Sequence, residues 1–172
     1  MFRATYLMLP VFCLFSLLML SCHGAGNAED TLAEESSDRH PPTGDFVQTM
    51  QKHLDAVTNR DLVALESTMA PTGEMQLILP GTEIINTVDG FMDYHKAWFS
   101  DSTWTFETKI LNTRVGRDMG MAITEIIYRE PDRDGQPYWN RMIVSYDLQN
   151  ISGKWYIVKD HASSIAKSTD GQ

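Results

Sequence analysis

The pair Asp160-His161, with Ser163 and Ser164 just behind it, has the residue types of a nucleophilic or acid–base site. Neighbouring residues of a strand point to opposite faces, so Asp160 cannot orient His161. Neither serine sits on the sharp strand–helix turn that presents a hydrolase nucleophile. His161 keeps step with apolar Trp155 and Ile157, which predicts an inward side chain. An inward histidine can act as a general base, donate to a ligand, or rest as a satisfied core residue. His95 follows Phe91 by four residues and precedes Trp98 by three, on the apolar face of a helix, where it packs in the core or lines a pocket. The histidines show no His-x-His or His-Glu-x-x-His spacing, so neither a metal nor a cofactor is expected.

Tyr128, Tyr138, Asn140 and Tyr146 fall on one strand face, and an apolar cavity with a few convergent polar groups is what a small-molecule site needs. The candidate ligand-binding set is therefore His95, Trp98, Tyr128, Asn140, Tyr146 and His161, around a small, mostly apolar molecule. The alternative is an interior filled by its own aromatic residues, since a domain of this size needs such bulk. Steroid-isomerase chemistry, which requires a second carboxylate in an oxyanion hole, finds no acid between Asn140 and Tyr146.

Helices come first and strands last. Phe46, Met50, Leu54 and Val57 recur at helical spacing. A second helix follows Asn59-Arg60-Asp61, carries Leu62, Leu65 and Met69, and stops at Pro71. Met75 to Leu79 turns at Pro80-Gly81 into a hairpin with 82–86, and Thr87 caps a third helix with Phe91, His95 and Trp98. Strands follow at 103–114, 119–130, 137–148 and 154–162, with connections too short for helical crossovers, which predicts an antiparallel sheet. Pairing Tyr128 with Tyr138 places Ile126 opposite Asn140, Thr124 opposite Met142 and Glu125 opposite Arg141, an oppositely charged pair. The fold class is α+β, helices on one face of a sheet.

The first 22 residues are an address. One Arg, an apolar run from Tyr6 to Leu20 and small residues after it make a signal peptide. The run is short for a membrane span. Leu18-Met19-Leu20-Ser21-Cys22 resembles the lipobox of bacterial lipoproteins, with Met19 where Leu, Val or Ile is usual. Lipidation at Cys22 would anchor the chain outside the cytoplasm on a bacterial membrane; cleavage after Gly26-Asn27-Ala28 would instead leave it soluble, periplasmic or secreted. Cys13 leaves with the leader, so no internal disulfide is available. Residues 23–43 are acidic and lack apolar periodicity, a solvated tether whose ends stand roughly 25 Å apart as flexible coil. The domain is then 44–172. The whole chain of 172 residues has 23 acidic and 14 basic side chains, a net charge of −9 that disfavours nucleic acid.

Over 45–165 the layout resembles the nuclear-transport-factor-2-like superfamily, especially its SnoaL-like branch. The resemblance rests on Asn59-Arg60-Asp61-Leu62, on His95-Lys96-Ala97-Trp98-Phe99, and on the ending Gly153-Lys154-Trp155-Tyr156-Ile157-Val158-Lys159-Asp160-His161-Ala162-Ser163. It implies three N-terminal helices packed on a curved antiparallel sheet, a cone with a pocket at its open end. Such a fold hosts isomerases, cyclases, dehydratases and non-catalytic pockets alike. Three functions stay open: a ligand-binding domain without catalysis, a lyase, cyclase or isomerase using His161 as base with Tyr146 or Asn140 polarising a carbonyl, or a homodimeric interaction module. In the last, Ile123, Ile127, Trp139 and Ile143 would share the outer sheet face.

Overall fold

A computed structural model describes residues 43–170. The expected signal peptide, Cys22 and the tether as far as residue 42 lie outside them. Helix α1, Thr43–Asn59, buries Phe46, Met50, His53, Leu54 and Val57 along one stripe. It ends on Arg60 in the left-handed region (φ 57), with Arg60 N–H on Val57 O and Asp61 N–H on Ala56 O. This is a Schellman-type close, with arginine where glycine is usual. Asp61 then caps α2, Leu62–Glu66, accepting from the Ala64 N–H at 2.9 Å. That helix stops short of the expected Met69. Thr68 O instead accepts from Ile157 N–H, and Met69 forms a parallel bridge to Ile157, so the sheet takes over the chain.

Strands β1 (Glu74–Ile78) and β2 (Ile84–Thr87) form the small hairpin. Thr87 caps α3, Val88–Trp98, by accepting from Gly90 N–H. The long strands follow: β3 (Thr105–Val115), β4 (Met119–Arg133), β5 (Gln136–Ile151) and β6 (Lys154–Lys167). The sheet order is β2-β1-β6-β5-β4-β3. It is mixed rather than wholly antiparallel, because β1 lies parallel to β6. The four long strands do form the expected meander.

The β4–β5 register differs from the expectation by two residues: Tyr128 faces Asn140, Ile126 faces Met142 and Thr124 faces Val144. Both strands run on to a two-residue turn at Asp134-Gly135, each with positive φ, and an irregularity between Glu130 and Arg133 sets the pairing. An even shift preserves the faces. Arg141 still bonds Glu125, now on the diagonal.

A bulge in β6 matters more. Asp147 pairs with Lys159 but Leu148 pairs with Ile157, leaving Val158 as an extra residue. The alternation that buries Trp155 and Ile157 therefore reverses, so Asp160 is buried and His161 is exposed. The core between α1 and the sheet is led by Phe46, edge-on to Trp155 at 5.2 Å, with Met50, Leu148 and Ile157. Gly120 is needed here: a side-chain carbon on it would collide with the Phe46 ring.

Candidate functional site

A cavity of about 480 Å³ opens between α3, the β1–β2 turn and the inner face of the sheet. Strand β5 supplies its length, since Tyr138, Asn140, Met142, Val144 and Tyr146 alternate into it. Ile126 and Tyr128 join from β4, Phe106 from β3, and Tyr94, His95 and Trp98 from one face of α3. Of the six residues predicted from sequence, five surround this cavity: His95, Trp98, Tyr128, Asn140 and Tyr146. His161 does not. The Val158 bulge turns it to the opposite face and puts Asp160 in the lining instead.

One wall is aromatic and braced from outside. Trp98 and Trp104 stack at 4.4 Å with planes 17° apart, and Trp104 donates from Nε1 to Trp98 O. The Arg60 guanidinium lies over Trp104, 3.8 Å from its ring centre, and donates to the carbonyls of Asp101, Ser102 and Trp104. An arginine spent on three carbonyls and a ring fixes the wall's position.

The mouth is formed at the β4–β5 hairpin. Tyr128 donates its hydroxyl to Glu130 at 2.5 Å, Glu130 accepts both Nε and Nη2 of Arg133, and Arg133 lies over the Tyr138 ring at 3.4 Å. Burial and the bond to Glu130 push the Tyr128 phenol up to about 12. Glu130 and Arg133, the two charged side chains of this cluster, are paired with each other.

Farther in, several polar atoms are unpaired. His95 donates from Nδ1 to Phe91 O at 2.8 Å, which leaves Nε2 as a lone-pair acceptor; burial holds its pKa down at about 4, so the ring is neutral. Asn140, 8% exposed, turns a buried Oδ1 that no group in the described residues satisfies. Asp160, also 8% exposed, faces Tyr146 across the β5–β6 ladder. It has no hydrogen bond or ion pair among the described residues, and desolvation alone lifts its pKa to about 7. Asp160 in turn adds to the burial that keeps the Tyr146 and Tyr94 phenols protonated.

Behind Tyr146 sits His53, fully buried, with its ring centre 5.5 Å away. The Thr68 hydroxyl donates to Leu65 O and so accepts from His53 Nδ1 at 2.8 Å, leaving Nε2 without a partner. Burial drops the His53 pKa to about 3. His53 stands three residues after Met50 and one before Leu54, so helical spacing alone could have flagged it. For Asp160 the only signal was the unbroken apolar run from Trp155 to Val158, where strict alternation fails. Among the described residues no group of three His, Cys, Asp or Glu could hold a metal ion.

Solved structures with this architecture include a ketosteroid isomerase-like protein from Erwinia carotovora atroseptica, at TM-score 0.61 and 16% identity, covering 72% of this chain and 95% of the other. An NTF-2 like protein of unknown function from Shewanella oneidensis matches at TM-score 0.57 and 18% identity, over 71% and 98% of the two chains. The association domain of C. elegans CaMKII matches at TM-score 0.53 and 20% identity, over 70% and 94%. At such identities the likeness shows the fold. No curated protein sequence matches the chain. The family model of the SnoaL-like domain matches residues 47–167, and the chain belongs to that family.

Proposed function

We propose that this is a ligand-binding domain, held outside the cytoplasm on a bacterial membrane by a lipid on Cys22, whose cavity takes a small, mostly apolar molecule. The observation that carries the reading is the cavity itself: about 480 Å³, walled by Trp98, Phe106, Ile126, Met142 and Val144, with a few polar groups converging on it. The anchor is supported by the lipobox-like end of the leader. Native mass spectrometry of the chain purified from its own host tests the cavity. A retained small mass, lost on Trp98→Ala, supports the reading, and a chain that emerges empty and fails to bind apolar probes sinks it. Palmitate labelling tests the anchor, and equal labelling of Cys22→Ala and the parent chain would refute it.

An enzymatic reading loses His161 as its base, because that side chain is exposed on the far face. The unpaired carboxyl of Asp160 favours a second version, in which a lyase or isomerase uses Asp160 for proton transfer. Activity would then rise through about pH 7 and vanish in Asp160→Asn.

Homodimerisation is supported by the outer sheet face. Ile123, Ile127, Trp139 and Ile143 lie there together, opposite the cavity, and Trp139 is 39% exposed. Sedimentation of Trp139→Asp beside the parent chain tests it: a dimer present only in the parent supports this surface, and identical behaviour refutes it.

A further inference from the structure

The cavity lining holds a carboxyl group that nothing among the described residues satisfies. The Asp160 carboxyl and the His95 Nε2 are acceptors in the lining with no partner among the described residues. Arg133, the one cationic side chain in the lining, is committed to Glu130 and to the Tyr138 ring. Glu83, Glu130 and Asp160 outnumber it, so the lining is formally negative. Tyr94 and Tyr146 line the cavity near enough to Asp160 to feel its charge, and the face of a tyrosine ring attracts cations.

A buried acceptor left without a donor carries its full desolvation cost, so the complementary ligand is one that brings the donors. An anion would meet a negative lining. A neutral carbonyl compound would find the tyrosine hydroxyls and the Asn140 amide to bind it, but would leave Asp160 unmatched unless Asp160 were protonated. Resting on the reading of this cavity as a ligand pocket, we infer that it takes an organic cation: an ammonium group on a mostly apolar body, with its N–H groups on Asp160 and its charge against the rings of Tyr94 and Tyr146.

The pH dependence separates the cases by sign. The titratable groups facing Asp160 are Tyr146 from β5, Tyr94 and His95 from α3, and Glu83 from the β1–β2 turn. The two phenols stay protonated and His95 stays neutral between pH 6 and 8, which leaves Asp160 to titrate there. An ammonium needs the carboxylate and binds more tightly as pH rises. A carbonyl needs the carboxylic acid and binds more tightly as pH falls.

The experiment uses the full-length chain and three probes with one body and different heads: n-octylamine, 2-octanone and octanoate. Binding is followed by tryptophan fluorescence and calorimetry at pH 6 and pH 8. The expected result is preference for octylamine, up to about tenfold tighter at pH 8, with Asp160→Asn removing both the pH dependence and at least about tenfold of affinity. In that variant 2-octanone should bind at least as tightly as in the parent chain at pH 8, because the amide keeps a donor where the carboxylate has none. Glu83→Gln, which leaves Asp160 in place, should cost octylamine less than about threefold. Preference for 2-octanone with affinity rising toward pH 6, or preference for octanoate, overturns the cation and leaves the pocket standing. If none of the three binds, the pocket reading itself falls, and the cation with it.

Discussion

The two ends of the cavity handle polar groups in opposite ways. At the mouth, Tyr128, Glu130, Arg133 and Tyr138 satisfy one another in a closed chain of bonds. At the inner end the Asp160 carboxyl and the His95 Nε2 face the space with nothing among the described residues to bind. The mouth behaves as structure: removing a partner there breaks something already made. The inner end carries a standing cost, so removing its charge should make the fold more stable. Substitutions of opposite sign are the way to test the contrast.

The largest effect belongs to Asp160→Asn. Its pKa is raised from 3.8 to about 7, so between those values the folded state holds a proton that the unfolded chain has released. Stability is intact below about pH 4 and drains away as pH rises to 7. The variant should gain up to about 4 kcal/mol at pH 8 and nothing at pH 4, read from urea melts at both. A loss at pH 8 would erase the contrast. Next comes Thr68→Val, which strips His53 Nδ1 of its partner in a fully buried site. It should cost about 2 kcal/mol, whereas His53→Leu should cost less because no donor is then orphaned. His53 and His95 are also held neutral, so stability should fall as pH drops from 6.5 toward 4, and His53→Leu should flatten that slope.

At the mouth, Tyr128→Phe should cost about 1 kcal/mol, the same at pH 6 and pH 8, because its phenol titrates near 12. A pH-dependent loss would mean that the mouth also bears unbalanced charge. The smallest effect should come from Glu125→Gln, whose partner Arg141 has a side chain 49% exposed: about 0.5 kcal/mol or less.

What could be read from the sequence was local. The Thr87 cap, the helical stripe of α1 and the starts of the four long strands all follow from a few neighbouring residues. What could not be read depended on counting across a ladder. The β4–β5 register turned on an irregularity near Glu130, and the parallel seat of β1 against β6 joins segments far apart in sequence. The site divided along the same line. Residues on α3, β4 and β5 could be placed by period alone, whereas Asp160 and His161 lay beyond a bulge that period cannot foresee.

That bulge fixes how the cavity can change over time. A strand reads its residues out by twos, so its phase can be reset only by changing its length. Losing Val158 would bring His161 to the inner face and send Asp160 to solvent, trading a carboxylate for an imidazole without altering either residue. A survey of point substitutions would never cross that boundary. On this scaffold a single-codon insertion or deletion in the last strand is the step that separates the two chemistries.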